Sequence, residues 1–189
     1  MHFSKTFAGR RQQAGYWINY CRGGVTPPLQ KYGGNMTTQT ELTVGQTAPD
    51  FKLKAYPSGE KGEYSLNQFK GKKNVILAFY PKDDTPGCTS ENCAFRDDLS
   101  HFEAASTQVF GISTDDVASH EAFSKKFNFT HPLLSDVGGE VARKYGTYKD
   151  DKGYSSRKLF VMDKNGKIQK IIDGMPANSE LLEFVKGLK

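Results

Sequence analysis

Two cysteines on one stretch of chain carry the most reactive side chains in this sequence. Cys88 and Cys93 lie five residues apart in the segment Tyr80–Asp97, which reads YPKDDTPGCTSENCAFRD. The thiolate form of cysteine is a strong nucleophile, and it is also the form that is oxidised. The chemistry to expect here is nucleophilic attack by a thiolate or exchange between thiols and disulfides.

The position of Cys88 in the chain favours the thiolate. The apolar run Val75–Tyr80 predicts a buried strand, and Pro86 predicts the first turn of a helix with Thr85 at its cap. In α/β proteins, ligands bind at the carboxyl ends of such strands. Cys88 falls in the first helical turn, where free backbone N–H groups and the positive end of the helix dipole stabilise an anion.

The two sulfur atoms are predicted to lie on different sides of this helix. At about 100° per residue, Phe95, Leu99 and Phe102 fall within about 40° of Cys88, whereas Cys93 falls about 140° away. Cys88 is therefore expected to face the core. The Cα atoms of the two cysteines would be roughly 8 to 9 Å apart, beyond the roughly 7 Å limit for a disulfide. A Cys88–Cys93 bond would therefore require this turn of helix to unwind.

Other interpretations of these two cysteines have less support in the sequence. A pair of cysteines is often one buried apolar residue and one inert surface thiol, but core packing does not require a Pro-Gly-Cys junction, a nearby Thr85 hydroxyl or a second thiol on the same helix. Two cysteines supply only two metal ligands, and the four histidines fall at no ligand-like spacing, so neither a metal nor another cofactor is expected. A Cys-x-x-Cys pair is absent, which argues against a thioredoxin-type disulfide reductase.

The surrounding elements predict an α/β fold. Strands are expected over 51–55, 64–66, 75–80, 109–113, 159–163 and 167–172, and helices over 86–105, 116–127, 139–145 and 179–188. Asp115 or Asp116 is expected to cap the second helix, and Asn178 the last. The alternation of strands and helices, followed by a hairpin at Asp163–Gly166, predicts a central mixed sheet with helices on both faces.

Charge divides the chain near residue 40. The net charge of +5 arises entirely from five Lys and Arg residues in 1–40, a segment without Asp or Glu, which leaves 21 basic and 21 acidic side chains in 41–189. A neutral body gives no electrostatic reason to expect nucleic-acid binding. Residues 41–189 are predicted to form one domain. Residues 1–40, which include Cys21, are predicted to be a disordered extension, a transit peptide, or the product of a start codon assigned upstream of Met36.

The sequence also bears on the compartment. The longest apolar run, at six residues, is far below the roughly 20 needed to cross a bilayer, so no membrane association is expected. Three cysteines cannot form a disulfide framework, and working thiols are kept reduced in the cytoplasm. We therefore expect a cytoplasmic protein, or an organellar one if residues 1–40 are a transit peptide.

The active segment resembles that of the peroxiredoxins. Pro81-x-x-x-Thr85-x-x-Cys88 matches the peroxiredoxin motif, and the longer string with a second cysteine five residues on is similar to the bacterioferritin co-migratory protein, or Q-type, branch. The similarity extends over residues 42–189 and includes GQTAPDF at 45–51, GIS at 111–113, LSD at 134–136 and DKNGK at 163–167.

This resemblance implies a thioredoxin-like fold and a thiol-dependent reduction of hydroperoxides. It implies that Cys88 is the peroxidatic cysteine and Cys93 the resolving cysteine, with an intramolecular disulfide reduced by thioredoxin or a glutaredoxin-like donor. It further implies that Arg157, just before a predicted strand, is the active-site arginine. The resemblance suggests a monomer or a dimer.

The remaining roles follow from the chemistry that this reaction needs. The Thr85 hydroxyl could bond the thiolate or the peroxide, and the N–H groups of Gly87 and Cys88 could stabilise the developing alkoxide. Pro81 would rigidify the loop and shield the sulfur. Glu91 and Arg96 are predicted to lie on a solvated helix face.

Two alternatives stay open at this point. One is a thiol–disulfide oxidoreductase on the same fold, and the other is a peroxide sensor in which the unwound turn exposes Phe95 and Leu99 to a partner. Two departures from the family pattern, Lys158 after the arginine and a short stretch at 149–153, concern the preferred peroxide.

Overall fold

The apolar runs of the sequence form the middle of a mixed seven-stranded sheet. The computed structural model describes residues 41–58 and 62–188. Its strands are β1 (Lys52–Tyr56), β2 (Glu63–Ser65), β3 (Asn74–Phe79), β4 (Thr107–Ser113), β5 (Leu133–Ser135), β6 (Tyr148–Lys149), β7 (Tyr154–Ser155), β8 (Lys158–Met162) and β9 (Ile168–Asp173). The sheet has the order β2-β1-β5-β4-β3-β8-β9, and β6 pairs only with β7.

Strand β3 lies inside the sheet, which explains the apolar run from Val75 to Phe79. It pairs in parallel with β4 and antiparallel with β8, and all six of its residues are buried. Such a strand needs apolar side chains on both faces. The hairpin β8–β9 is antiparallel, as the turn at Asp163–Gly166 predicted.

Helices cover both faces of the sheet. They are α1 (Pro86–Ala104), α2 (Val117–Phe127), α3 (Glu140–Lys144) and α4 (Asn178–Lys186), with a short 3-10 helix at Leu66–Phe69. On one face, Ile76 and Ala78 of β3 pack with apolar residues of α1 and α4. On the other face, Leu77 and Phe79 share a cluster with Val141 of α3. The prediction of a mixed sheet between helices is confirmed.

Sequence reasoning missed two features of the sheet. Strand β5 is only three residues long, yet it lies between β1 and β4, antiparallel to the first and parallel to the second. The hairpin β6–β7 encloses the stretch 149–153 and is also too short to produce an alternating pattern. A run of two or three residues carries almost no periodic signal.

The predicted caps have mixed outcomes. Asp116 caps α2, since its Oδ1 accepts from the Ser119 N–H at 2.8 Å. Asn178 does not cap α4. It is the first helical residue, and its side chain donates to Asp98 Oδ2 at 3.0 Å, so Ala177 takes the cap position. No helix in the described part of the chain is both long enough and apolar enough to span a membrane.

Candidate active site

Cys88 lies at the buried start of α1, directly beyond the carboxyl end of β3. The helix begins at Pro86, so Cys88 is its third residue, and only 1% of the Cys88 surface is exposed. The first backbone bond of the helix runs from the Thr89 N–H to the Thr85 carbonyl at 2.8 Å. The earlier N–H groups, those of Gly87 and Cys88, therefore have no intrahelical acceptor and supply the positive end of the helix dipole beside the sulfur.

The Arg157 guanidinium lies beside this sulfur. Its Nη2 is 3.2 Å from Cys88 Sγ. The sheet register explains the approach, because Lys158 of β8 pairs with Phe79 of β3, which places residue 157 opposite the end of β3 where the loop to α1 begins. A Cβ atom at Gly87 would lie 3.2 Å from the same Nη2, so the small residue there leaves room for the guanidinium.

Glu91 corrects the prediction of a solvated helix face. It is 2% exposed, and its Oε2 accepts a hydrogen bond from Arg157 Nη1. The reason is helical geometry. Residues three apart lie on one face of a helix, so Glu91 points toward the core on the same side of α1 as Cys88. One guanidinium thus contacts both a carboxylate and the sulfur. Burial raises the pKa of Glu91 to about 7, although the charge of Arg157 acts in the opposite direction.

Replacing Glu91 by glutamine is expected to remove a pH-dependent loss of stability. The folded chain binds the Glu91 proton more tightly than the unfolded chain does. The stability that this proton contributes is therefore complete below about pH 4.5 and is lost as the pH rises to about 7. Between pH 5 and 8 the native chain should lose roughly 2 kcal/mol of unfolding free energy relative to Glu91→Gln. Urea unfolding of both chains at the two pH values measures this. A constant difference between them would mean that the pKa of Glu91 is not raised in the folded chain and that Glu91 is ionised in both states throughout this range.

Arg96 lies on a partly solvated face, as predicted, and also contacts another helix. It pairs with Asp97 on the surface, but its Nη1 donates to the Phe127 carbonyl at 2.7 Å. The side chain is 32% exposed. It therefore ties α1 to the end of α2.

A buried polar network fixes the loop between β3 and α1, and sequence reasoning missed it. Asp83 accepts from the Tyr80 hydroxyl and the Ser119 hydroxyl, both at 2.7 Å, and contacts His120 Nδ1 at 2.8 Å. Its own N–H donates to Asp115 Oδ2 at 2.8 Å. Burial acts to raise the pKa of Asp83, but the bond to and charge of His120, helped by the two hydroxyls, lower it overall.

His120 and Asp83 differ in how readily their burial can be inferred from the sequence. His120 shares the apolar face of α2 with Phe123 and Phe127, so helical spacing could have indicated its burial. Asp83 gave no local signal, because its partners on α2 lie 36 and 37 residues away.

Replacing Asp83 by alanine is expected to lower the free energy of unfolding by about 3 kcal/mol, because the buried Tyr80 hydroxyl and His120 ring and the half-buried Ser119 hydroxyl lose their common acceptor. The neighbouring Asp84→Asn is the control, since asparagine, unlike alanine, tolerates the positive φ of 54° at that position. Asp84 forms an exposed ion pair with Lys126, and such pairs contribute only about 0 to 1 kcal/mol. Urea unfolding compares the two variants, and equal losses would contradict a structural role for the network.

Among the described residues, the other predicted site residues form no hydrogen bond to the Cys88 sulfur. Thr85 takes the cap position with extended backbone, but its hydroxyl donates to the Lys82 carbonyl at 3.0 Å and does not cap the helix. Pro81 is half-buried immediately after Tyr80. Cys93 is half-buried, both cysteines of α1 are free thiols, and the helix between them is intact. Cys21 lies outside the described residues.

A metal site was not expected here. Within 41–58 and 62–188, no group of three or more His, Cys, Asp or Glu side chains is arranged to hold a metal ion. The reactive groups of the described site are thus a thiol, a guanidinium, a buried carboxyl and a helix N-terminus.

Comparison with known proteins identifies the family. Residues 44–171 match the model of the AhpC/TSA family. This chain belongs to the AhpC/TSA family. Its relatives include peroxiredoxin Q of Gentiana triflora, a chloroplastic protein, at 41% identity over 77% of this chain and 65% of the relative. They also include the chloroplastic peroxiredoxin Q of Sedum lineare, at 44% identity over 79% and 81%. The chain thus spans just under two thirds of the first relative's length.

Solved structures of AhpC/TSA relatives agree with the fold. Peroxidoxin BcpB from Mycobacterium tuberculosis matches with a TM-score of 0.70 and 30% identity, over 79% of this chain and 99% of that one. Reduced 2-Cys peroxiredoxin from Plasmodium vivax matches with a TM-score of 0.70 and 34% identity, over 75% and 93%. These matches confirm the thioredoxin-like fold and the resemblance to the Q-type peroxiredoxins.

Proposed function

We propose that this protein is a thiol-dependent peroxidase that reduces hydrogen peroxide and organic hydroperoxides. Family membership supports the activity. The contact of Arg157 Nη2 with Cys88 Sγ at the start of α1 supports the choice of nucleophile. The substrates would be hydroperoxides, the products water or an alcohol, and the cellular role antioxidant defence.

In the proposed first step, the Cys88 thiolate attacks the terminal peroxide oxygen. A sulfur–oxygen bond forms, the O–O bond breaks, and the alkoxide or hydroxide leaves and takes up a proton. The sulfur becomes a sulfenic acid. Arg157 and the N–H groups of Gly87 and Cys88 would stabilise the negative charge, and the Thr85 hydroxyl would bond the peroxide. Pro81 would keep the loop rigid around the sulfur.

In the proposed second step, Cys93 resolves the sulfenic acid. Its thiol forms a disulfide with Cys88 and water leaves. Because Cys88 is buried and Cys93 lies on another side of α1, this turn must unwind before the sulfurs meet. A disulfide in an unwound turn is open to exchange, so thioredoxin or a glutaredoxin-like donor would return both cysteines to thiols.

The deciding experiment is an intact-mass spectrum of reduced protein after one equivalent of hydrogen peroxide, followed by peptide mapping. We expect a loss of about two mass units located to Cys88 and Cys93. No reaction at Cys88, or oxygen added at Cys93, would overturn the proposal. Oxidation by disulfides but not by peroxide would favour a thiol–disulfide oxidoreductase. Oxidation without turnover by any reductant would favour a sensor.

The domain organisation and location are part of the proposal. We assign activity to residues 41–189, as a monomer or a dimer, and treat 1–40 as an extension. Reduced thiols fit the cytoplasm, whereas the chloroplastic names of the plant relatives fit an organelle with 1–40 as a transit peptide. Fusing residues 1–40 to a fluorescent reporter distinguishes these two locations.

A further inference from the structure

A buried pair of polar side chains holds the helical turn that separates the two cysteines. Asn92 lies next to Cys93, and its Nδ2 donates to the Cys88 carbonyl at 2.9 Å. Its Oδ1 lies 2.9 Å from His131 Nε2. Asn92 and His131 are each 1% exposed, and the proposed chemical steps use neither of them.

The direction of these bonds follows from the groups present. A carbonyl can only accept, so the amide nitrogen of Asn92 faces Cys88 and its oxygen faces the imidazole. His131 Nε2 must therefore carry a proton and donate it. Burial, with a smaller effect from the charge of Arg96, lowers the pKa of His131 to about 4, so the ring is neutral. Hydrogen bonds thus run from His131 to Asn92 and from Asn92 to Cys88.

Packing leaves Asn92 little freedom. A Cβ atom at Gly111 of β4 would lie 3.0 Å from Asn92 Oδ1 and 2.6 Å from Leu133 Cδ2. The absence of a side chain at 111 therefore creates the space that the amide oxygen occupies against the sheet. The Phe95 and Phe129 rings flank His131, with centroids 6.1 and 5.5 Å from that of the imidazole. In such surroundings a polar group that loses its partner is costly.

The residue type itself needs an explanation. Asparagine is a weaker helix former than alanine, and a buried amide requires partners. Asn92 nevertheless sits in the middle of α1, in the turn that must open for a disulfide to form. Its bond to the Cys88 carbonyl can form only in the helical conformation, so it stabilises this turn against unwinding.

We propose that Asn92 and His131 form a latch that keeps the turn between Cys88 and Cys93 wound. The latch is defined as the hydrogen bonds from His131 to Asn92 and from Asn92 to the Cys88 carbonyl. It sets how the Cys88 sulfenic acid divides between disulfide formation and further oxidation. Both residues act as positioning residues, and the inference rests on the proposed peroxidase function.

The two competing fates have different requirements. In one, the Cys93 thiol attacks the sulfenic sulfur, a disulfide forms and water leaves, which requires the unwound turn. In the other, a second hydroperoxide oxidises the sulfenic acid to sulfinic acid and is itself reduced to an alcohol or water. This reaction occurs while the turn stays wound around the active site. A stronger latch therefore favours overoxidation, and a weaker latch favours the disulfide.

Replacing Asn92 by alanine tests the latch. Loss of the two buried bonds outweighs the higher helix propensity of alanine and should raise the unwound fraction, so we expect disulfide formation to become about five- to tenfold faster. The peroxide concentration that gives half-maximal sulfinic acid should rise by the same factor. Quenched-flow sampling followed by intact mass measures both products, since the disulfide loses two hydrogens and the sulfinic acid gains two oxygens. The latch would be overturned if Asn92→Ala formed the disulfide no faster than the native chain and reached half-maximal sulfinic acid at no higher peroxide concentration.

Controls separate the latch from general damage to the helix. Phe102→Leu removes volume from the buried carboxyl-terminal half of α1, and it should lower stability without changing the partition. His131→Phe keeps ring volume but removes the donor, and it should shift the partition in the same direction as Asn92→Ala. His131→Gln, which restores an N–H donor, should return it toward the native value. A shift in Phe102→Leu equal to that in Asn92→Ala would overturn the proposal.

The native chain provides the remaining comparison. If native protein forms no Cys88–Cys93 disulfide with peroxide, the proposed function fails. If native protein forms this disulfide but the partition is unchanged in both Asn92→Ala and His131→Phe, the latch alone fails. The two failures are therefore distinguishable in the same experiment.

Discussion

Replacing Cys88 by serine is expected to lower peroxide reduction at least about a thousandfold. A serine hydroxyl is not ionised at neutral pH and cannot form the sulfenic acid that carries the oxygen, so no step of the cycle can begin. The substitution changes one buried atom and should leave the fold intact. Peroxide consumption with a thioredoxin-type reductant measures the loss, and far-ultraviolet circular dichroism checks the fold.

The matched variant is Cys93→Ser on the same helix. It should keep one fast oxidation of Cys88 per chain but lose turnover supported by thioredoxin, because no internal thiol resolves the sulfenic acid. An added small thiol should restore turnover to Cys93→Ser and not to Cys88→Ser. Equal residual turnover of the two variants with thioredoxin would contradict the assigned roles.

The position of Cys88 could be predicted because the signals that fix it are local. An apolar run, a proline at the first helical position and the spacing of Phe95 and Phe102 together place the thiol at an inward-facing helix start. The structure has the same arrangement, with the helix beginning at Pro86. Local periodicity thus yields the strand, the helix and the side of the helix on which the sulfur lies.

The partners of Cys88 could not be predicted in this way. The contact with Arg157 joins residues 69 positions apart and depends on the register of β8 against β3. Residue types alone would have left Arg157 as a solvated residue at a strand end, and only the family resemblance indicated its place.

The burial of Glu91 was not predicted for a different reason. Glu91 was predicted to lie on a solvated helix face, because a carboxylate is rarely buried without a partner. Here that partner is the distant Arg157. The Asn92–His131 pair spans 39 residues and was equally hidden.

Replacing Arg157 by methionine is expected to slow the reaction of Cys88 with hydrogen peroxide about a hundredfold, because the donor and charge nearest the sulfur are lost. Arg157→Lys should slow it less, about tenfold. A lysine ammonium keeps the charge, but it lacks the planar fork that contacts the Glu91 carboxylate and the sulfur together. A single-turnover measurement of thiol oxidation gives the rate for each variant.

A second substitution separates the chemical role of Arg157 from its structural role. Arg157→Met alone leaves Glu91 buried without a partner, which should lower the free energy of unfolding and thereby complicate a slow rate. Adding Glu91→Gln removes the ionisable group and should restore most of that stability. The reaction should nevertheless remain slow in the double variant, because nothing replaces the guanidinium beside the sulfur. If the double variant instead recovers the native rate, Arg157 acts only by compensating the Glu91 carboxylate, and the positive charge for the reaction must come from the helix N-terminus alone.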